Sequence, residues 1–323
     1  MKQIFVTRFG GPEVLELREV AVPEPGPGEV RVKVAAAGIN YADIMQRDGL
    51  YPNGPQPPFG AGFEVAGVID AVDPNVVGWK VGDAVMAFCQ NGYSEYVTAP
   101  AAMLLPKPAE LSFEQASAIP CQYLTAYHAL LTLGRLKAGQ TVLVHAAAGG
   151  LGSIMVQIAH NVGATVIGTC SSVEKCALIR DLGCDFPINY AVEEFGARVR
   201  EITAGKGCDL IIESVGGDIL ERSLRCLKPR GMLVTLGVAS KNVPSVSSVE
   251  LLANNWIVAG FHLMGYTADM EAMGHALADL KDWLAAGKLT VIVRHTFPLE
   301  QAAEAHRQIS DRKTVGKVVL TTG

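Results

Sequence analysis

Residues 140–170 read QTVLVHAAAGGLGSIMVQIAHNVGATVIGTC, and this stretch decides the fold. An apolar run is followed by a glycine-rich turn, a helical segment and a second apolar run. The turn has the pattern Ala147-x-Gly149-x-x-Gly152, in which alanine replaces the first glycine. A strand, such a turn and a helix bring backbone N–H groups and the helix dipole close to phosphate groups. The stretch is therefore typical of a dinucleotide-binding unit; the alternative is a glycine-rich turn without a ligand.

The residues of this turn have separable roles. Gly149 allows the backbone to approach the phosphates, and Gly152 allows the helix to pack closely on the sheet. Ala147 stands where the residue of the tight turn belongs, which predicts a slightly wider phosphate loop. The residues expected at the pyrophosphate are Ala148, Gly149, Gly150, Leu151 and Gly152.

Length and composition describe a globular chain of two domains. Of its 323 residues, 49% are hydrophobic and 18% charged, which is enough for a large core. The net charge of −5 gives no electrostatic basis for binding nucleic acid. Residues 138–173 carry no Asp, Glu, Lys or Arg, but glycines interrupt them, so we expect buried strands and no membrane partner. Arg8 lies too close to Met1 for a signal peptide, and none of the seven cysteines forms a C-x-x-C pair, so we expect reduced thiols and a cytoplasmic location.

Strand and helix patterns alternate from Gly139 onward. Strands are predicted at 141–146, 164–170, 185–189, 208–213, 232–237 and 256–262, and helices at 151–162, 172–182, 193–203, 217–227 and 270–286. Ser171-x-x-Glu174 has the form of a capping box that opens the second helix. Six strands with crossover helices predict an α/β fold with a doubly wound parallel sheet of the Rossmann type.

The first third of the chain has β character. Val30, Val32 and Val34 alternate with charged residues, as in a half-buried strand, and apolar runs follow at 64–73 and 81–88. This segment predicts a small barrel-like β domain. The tail, 288–323, alternates strand, helix and strand, and we expect it to return to that domain.

The end of the second strand determines which dinucleotide is preferred. NAD enzymes place an acidic residue there, on the ribose hydroxyls, whereas this chain has TCSS at 169–172. Hydroxyls and an ammonium suit a ribose phosphate, so the candidates are Ser171, Lys175 and Tyr190, and the predicted cofactor is NADPH rather than NADH. Glu174 weakens the positive field, and the alternative for Lys175 is a solvated helix residue.

Several further motifs are specific in combination and together span essentially the whole chain. They are AGINYAD (37–43), GLYP (49–52), VGDAV (81–85), LTAY (124–127), HAAAGGLG (145–152), SVGG (214–217) and GKVVL (316–320). In this combination the chain resembles the zinc-free quinone oxidoreductase branch of the medium-chain dehydrogenase/reductases, which is zeta-crystallin-like and related to the enoyl reductase domains of polyketide and fatty acid synthases. The resemblance implies a GroES-like catalytic domain at 1–118 and 266–323, and a Rossmann domain at 119–265.

The resemblance also bears on metal binding. In zinc-dependent relatives a cysteine, a histidine and a second cysteine hold the metal, whereas here Asn40 and Phe63 take the first two positions and only Cys121 the third. One thiolate cannot form a site that needs three protein ligands and a water. We therefore predict no metal. Hydride transfer without a Lewis acid suits an acceptor that is already polarised, such as a quinone, enone, enal, enoyl thioester or substituted acrylate.

Individual roles follow from the same resemblance. Tyr51 either donates a proton to the reduced substrate or only shapes the site, with solvent as the donor. Asn40 binds a substrate oxygen or the nicotinamide ribose, or serves as a turn residue. His145 and His262 are interpreted as structural. Further residues expected to contact the cofactor are Thr125, Gly237, Phe261, Leu263 and Lys317.

Three functions stay open at this stage. The first is an NADPH-dependent, zinc-independent reductase of quinones or activated alkenes. The second is an enoyl-thioester reductase whose substrate is attached to a carrier protein or coenzyme A, and the third is a non-catalytic NADPH-binding protein. Because the family commonly pairs through its last Rossmann strand, here about 256–263, we expect a homodimer.

Overall fold

Strands and helices alternate regularly only in the middle of the chain. The computed structural model describes residues 1–323. Its strands are β1 (Lys2–Val6), β2 (Leu15–Glu19), β3 (Glu29–Ile39), β4 (Phe59–Gly60), β5 (Glu64–Val72), β6 (Ala84–Phe88), β7 (Tyr96–Pro100), β8 (Leu104–Pro106), β9 (Thr141–Val144), β10 (Thr165–Cys170), β11 (Phe186–Asn189), β12 (Cys208–Glu213), β13 (Leu227–Thr235), β14 (Ile257–Gly260), β15 (Val293–Pro298) and β16 (Lys317–Thr321). Its α-helices are α1 (Tyr41–Asp48), α2 (Phe113–Ala116), α3 (Leu124–Tyr127), α4 (Gly150–Asn161), α5 (Val173–Asp181), α6 (Phe195–Ile202), α7 (Asp218–Leu224), α8 (Ser248–Asn254), α9 (Met270–Ala285) and α10 (Ala302–Ser310).

The chain divides into two compact units. Unit 1 comprises Met1–Gln122 and Val291–Gly323, and unit 2 comprises Tyr123–Thr290. The expected boundary at 265/266 therefore differs from the one in the structure, at 290/291. The reason is that helix α9 belongs to unit 2, where the Tyr123 hydroxyl donates to the Ala276 carbonyl at 2.7 Å and the Tyr127 hydroxyl to the Asp279 carboxylate at 2.7 Å.

Unit 2 is built on a six-stranded parallel sheet. Its strand order is β11-β10-β9-β12-β13-β14, with parallel pairing throughout. The chain runs outward from β9 to one edge and then returns to β12 on its other side. This order creates a switch point between β9 and β12, where such sheets bind ligands at the carboxyl ends of the strands. The predicted α/β fold with a doubly wound parallel sheet is confirmed.

Burial explains the uncharged stretch around the glycine turn. Val142, Leu143 and Val144 are fully buried in β9, and β10 is buried over most of its length. Strands covered on both faces need apolar side chains throughout. No helix in the chain has the combination of length and apolar character that spanning a bilayer requires.

Unit 1 is mainly antiparallel. A seven-stranded sheet has the order β15-β16-β3-β5-β6-β8, with β7 paired to β3, and a three-stranded sheet has the order β2-β1-β4. The alternating burial of β3 agrees with the alternation seen in its sequence. The tail returns to this unit as expected, because β16 pairs antiparallel with β3.

The cysteines differ from the expectation of reduced thiols. Cys170 and Cys176 form a disulfide, with their Cα atoms 6.1 Å apart. The remaining cysteines are thiols. The pair was missed because C-x5-C across a strand–helix junction matches no common cysteine motif.

Candidate functional site

The glycine turn of unit 2 connects β9 to α4. Ala146 adopts a left-handed conformation with φ of 51°, and the Ala147 N–H donates to the Thr169 carbonyl at 2.9 Å. The turn is thereby fixed to the end of β10. Helix α4 then begins directly after Gly149, which occupies its N-cap.

The two glycines of the motif have different amounts of room. A Cβ on Gly152 would lie 2.4 Å from the Ala146 carbonyl oxygen and 2.6 Å from the Ala147 Cα. A Cβ on Gly149 would have only one neighbour, the Ala146 oxygen at 3.3 Å. Gly152 is therefore required by contact between α4 and the turn itself, which refines the expectation that it packs on the sheet. Gly149 leaves an approach to the backbone that a side chain would obstruct.

The structure brings the five predicted pyrophosphate residues, 148–152, to one helix end. The first N–H groups of a helix have no acceptor within the helix, and the first turn of α4 carries no acidic side chain. Both features favour an anion. The residues present therefore fit a dinucleotide pyrophosphate.

The strand-end loop lies after β10. The Tyr190 N–H donates to the Cys170 carbonyl at 3.0 Å, so Tyr190 lies beside the start of the loop that contains Ser171 and Lys175. The cap of α5 differs from the expected capping box: Ser172, not Ser171, caps the helix by accepting from the Lys175 N–H at 3.2 Å. Ser171 precedes the cap. No carboxylate occurs between β10 and the Ser172 cap, and the first acidic residue after them is Glu174, in the first turn of α5.

Glu174, the residue expected to weaken the positive field, is an exposed neighbour of this loop. A hydrogen bond from its own backbone N–H, followed by one from the Ser172 hydroxyl, lowers the pKa of its carboxyl. The Glu174 carboxylate is thus bound to groups at the start of α5.

The remaining predicted cofactor residues of unit 2 are spread over separate segments. Phe261 follows β14, donates its N–H to the Thr235 carbonyl at 2.9 Å and stacks on Tyr266. Gly237 follows β13, where a Cβ would lie 3.1 Å from the Ser214 carbonyl oxygen. Leu263 is buried, and Thr125 lies half-buried in α3.

His145 is a structural residue, as expected. Its ring nitrogens bond to the Thr169 and Ser223 hydroxyls at 3.1 and 2.8 Å. Burial, followed by the charge of Arg222, lowers its pKa to about 4. The imidazole is therefore neutral near pH 7 and ties the end of β9 to β10 and α7.

One ionisable residue of unit 2 was missed by the sequence reasoning. Glu213 ends β12 fully buried, and its carboxylate accepts the N–H groups of Val215 and Gly216 at 2.5 and 2.9 Å. Burial raises the pKa of this carboxyl. The available signal was an acidic residue closing the apolar run CDLIIE. Glu213 holds the turn at the carboxyl end of the sheet.

In unit 1, Asn40 and Lys317 meet at a third residue that the sequence reasoning also missed, Glu64. We call these three residues the buried polar cluster. The Lys317 ammonium donates to the Glu64 carboxylate at 2.5 Å and to the Asn40 amide oxygen at 2.9 Å, and the Asn40 amide nitrogen donates to Glu64 at 2.8 Å. All three are at most 5% exposed. The ammonium of Lys317, expected to contact the cofactor, is thus bound to these two side chains.

Neighbouring groups complete the cluster. The Cys121 N–H donates to the second Glu64 oxygen at 2.7 Å, and the Asn40 N–H donates to Asp43 at 2.7 Å. Gly38 makes room for it, since a Cβ there would lie 2.6 Å from both the Glu64 Oε1 and the Lys317 Cε. Burial raises the pKa of Asp43 to about 7. The side-chain amide of Asn40 is therefore held by Glu64 and Lys317, and its backbone N–H by Asp43.

Tyr51 lies half-buried after α1, with its ring 5.6 Å from that of Phe63. Burial, reinforced by the Cys121 and Asp43 charges, raises its pKa to about 12. The phenol is consequently protonated at neutral pH and can act as a hydrogen-bond or proton donor.

The positions equivalent to zinc ligands do not form a metal site. Asn40 and Phe63 offer an amide and a hydrocarbon ring, and the adjacent carboxylate, Glu64, is bound to Lys317. No group of three or more His, Cys, Asp and Glu residues is arranged to hold a metal. This donor set does not fit zinc.

Comparison with known proteins identifies the family. Residues 26–109 match the alcohol dehydrogenase GroES-like domain, and residues 182–320 match a family described as zinc-binding dehydrogenase. A quinone oxidoreductase of Pseudomonas aeruginosa is 40% identical, covering 99% of both chains. The chain belongs to the quinone oxidoreductase branch of the medium-chain dehydrogenase/reductases. This confirms the resemblance seen in the sequence, together with the GroES-like character of unit 1.

Two further members of this family are informative. A 2-haloacrylate reductase of a Burkholderia species is 38% identical, covering 98% of this chain and 97% of its own. The structure of Escherichia coli quinone oxidoreductase, solved in complex with NADPH, is 35% identical with a TM-score of 0.95 and covers all of both chains. The family therefore includes NADPH-binding proteins of the same fold.

Proposed function

We propose that this chain is an NADPH-dependent reductase that delivers hydride to quinones or to activated alkenes such as enones, enals and substituted acrylates, without zinc. The observation that carries the proposal is the glycine turn at the start of α4, together with the end of β10, where Ser171 and Ser172 stand in place of a carboxylate and Lys175 follows in the first turn of α5. The relatives named for quinone and 2-haloacrylate reduction support the acceptor class.

The residues of unit 2 bind and orient the cofactor in this proposal. When bound, NADPH supplies the hydride that reaches the β-carbon of an activated alkene. Residues 148–152 hold the pyrophosphate through the first N–H groups of α4, with Gly149 leaving room for its approach. Ser171, Lys175 and Tyr190 hold the ribose phosphate. Gly237, Thr125, Phe261 and Leu263 complete the contacts.

Tyr51 supplies the proton. Its half-buried phenol, with a pKa raised to about 12, holds its proton firmly until negative charge develops on the substrate. An acid of this strength protonates an enolate carbon and does not dissociate at neutral pH.

Asn40 orients the substrate oxygen. An amide nitrogen has two N–H groups, one of which donates to Glu64. Lys317 fixes the amide oxygen, so the second N–H has a defined direction. In this proposal Lys317 therefore acts through Asn40.

Steady-state NADPH oxidation with quinones, enones, 2-chloroacrylate and enoyl thioesters tests the function. We expect turnover of several of the first three classes, and a Tyr51→Phe variant slowed about 10²-fold or more with the alkenes. Tyr96→Phe in β7 is the matched control. An unchanged Tyr51→Phe rate with every acceptor would refute the proton-donor role. Turnover of enoyl thioesters alone would support a thioester reductase. Binding of NADPH without turnover of any acceptor would support a non-catalytic role.

We also propose a homodimer that pairs through β14. This strand forms the edge of the parallel sheet of unit 2, and Ile257 within it is 47% exposed. An uncovered edge strand invites pairing with another chain. Sedimentation as a monomer would refute it. The cytoplasmic location stays a prediction, which cell fractionation tests.

A further inference from the structure

A disulfide closes the loop that the proposed function assigns to the ribose phosphate. Cys170 is the last residue of β10, and Cys176 lies in the first turns of α5. Their Cα separation of 6.1 Å lies within the range that a disulfide spans without backbone movement. The bond therefore fits the backbone conformation of this loop.

The residues enclosed by this bond are those proposed to distinguish NADPH from NADH. Ser171 and Lys175 lie between the two cysteines, and the Cys170 carbonyl accepts the Tyr190 N–H. Ser171 and Lys175 are therefore direct chain neighbours of the bonded cysteines, and Tyr190 is connected to Cys170 by one hydrogen bond.

Hydrogen bonds hold the local fold in addition to the disulfide. Ser172 caps α5 through the Lys175 N–H, and the Cys176 N–H donates to the Ser172 carbonyl at 3.0 Å. The ring encloses only residues 171–175, so cross-linking it adds little to global stability compared with a disulfide that closes a long loop. What the bond changes is the freedom of the loop.

We propose that Cys170 and Cys176 are a reversible thiol–disulfide site that sets the affinity for NADPH. The inference rests on the proposed function, in which the loop binds the ribose phosphate. The oxidant is a hydroperoxide. One cysteine, as its thiolate, attacks the terminal oxygen and becomes a sulfenic acid, and the leaving oxygen takes up the proton of that thiol and departs as an alcohol, or as water from hydrogen peroxide. The second thiol then displaces the sulfenic hydroxyl as water to form the S–S bond. The two sulfurs lose two electrons and two protons in total; a dithiol reverses the step.

The direction of the effect follows from pre-ordering. A loop already held in its bound conformation loses less conformational freedom when it binds a ligand. We expect the disulfide form to bind NADPH about fivefold more tightly than the dithiol form. NADH lacks the ribose phosphate, so its affinity changes much less.

The experiment compares one protein in two redox states. The full chain is oxidised with hydrogen peroxide or reduced with dithiothreitol, desalted under nitrogen, and titrated with NADPH and with NADH by calorimetry. Trypsin cleaves after Lys175, so mass spectrometry detects the bond as residues 138–175 linked to Cys176–Arg180. Cys176→Ser removes the pair, and Cys226→Ser, in which another buried cysteine is replaced, is the matched control.

After treatment with peroxide we expect the linked peptide pair. On reduction, the NADPH/NADH affinity ratio should fall about fivefold in the wild type and in Cys226→Ser. In Cys176→Ser the ratio should stay constant. Absence of the linked pair overturns the inference. So does an NADPH preference that is equal in both redox states, which leaves the cofactor assignment intact. Equal affinity for NADPH and NADH in both states instead refutes the ribose-phosphate site on which the inference rests. The wild-type comparison requires no variant to fold.

Discussion

The buried polar cluster of unit 1 and the glycine turn of unit 2 organise polar groups in opposite ways. In the cluster, Asn40, Glu64 and Lys317 bond to one another and are shielded from solvent. In the turn, the main-chain N–H groups of 150–152 lie at a helix end that supplies no acceptor of its own, whereas the Gly149 N–H donates to the Ala146 carbonyl at 3.0 Å. One region uses side chains that satisfy each other, and the other uses backbone that a ligand satisfies.

This difference determines which kind of substitution disrupts each region. A network of paired buried charges is sensitive to removal of one charge, because the partner charge stays buried. A backbone anion site is sensitive to volume. A side-chain atom at Gly152 would displace the turn, and one at Gly149 would obstruct the approach to the N–H groups. Substitutions in the buried polar cluster should therefore act first on stability, whereas those in the glycine turn should also change cofactor affinity.

The largest expected effect is that of Lys317→Met. Glu64 would keep a buried charge without its cation, and we expect the free energy of unfolding to fall by about 3–5 kcal/mol. Urea denaturation measures it. Lys313→Met, which removes an exposed partner of Asp311, should cost less than about 1 kcal/mol. The double variant Lys317→Met with Glu64→Gln should recover stability; a single variant as stable as the control would contradict the cluster's role.

A pH effect of comparable size is expected from His145. Its pKa is lowered to about 4 in the folded state from 6.5, so the unfolded chain binds the proton first. The contribution of the neutral His145 to the free energy of unfolding is fully present above about pH 6.5. It is lost as the pH falls towards 4, and the loss is about 3 kcal/mol. His145→Gln should have a flatter profile between pH 7 and 4 in urea denaturation. Parallel profiles for variant and wild type would show that this histidine does not carry the dependence.

Gly152→Ala tests the volume argument in unit 2. The new methyl group would force the turn away from α4, and we expect a loss of about 1–3 kcal/mol in stability together with weaker NADPH binding. Gly274→Ala is the control, because nothing lies within 4 Å of a Cβ at that position of α9; it should gain about 0.5–1 kcal/mol. Calorimetric denaturation and titration measure both quantities. Unchanged NADPH affinity in Gly152→Ala would separate the turn from the cofactor.

The smallest effect is expected from Lys175→Ala. Loss of one half-buried cation should weaken NADPH binding about fivefold to tenfold and leave NADH binding unchanged. Lys206→Ala, an exposed lysine in another loop of unit 2, should change neither affinity. Fluorescence titration with both nucleotides is sufficient. An equal loss of affinity for NADPH and for NADH would show that Lys175 supports the structure of the loop and does not bind the ribose phosphate.

The sequence predicted what depends on local pattern. The six parallel strands and the glycine turn were recoverable because burial on both faces and the spacing 147-x-149-x-x-152 are visible over short windows. The buried polar cluster was not, because Glu64 lies 24 residues from Asn40 and 253 from Lys317. The boundary at 290/291 was not predicted for the same reason. It depends on hydrogen bonds from Tyr123 and Tyr127 to α9, whose residues lie about 150 positions further along the chain. The disulfide was not predicted because the distance between Cys170 and Cys176 in space does not follow from their spacing in the sequence.

The most direct test of the proposed reaction follows the hydride itself. The enzyme is incubated with 2-chloroacrylate and NADPH that carries deuterium at both C4 positions, and the product is examined by proton and deuterium NMR. We predict 2-chloropropionate with one deuterium on its β-carbon and a solvent-derived proton on its α-carbon. Deuterium on the α-carbon, or product without deuterium, would contradict hydride delivery to the β-carbon of an activated alkene.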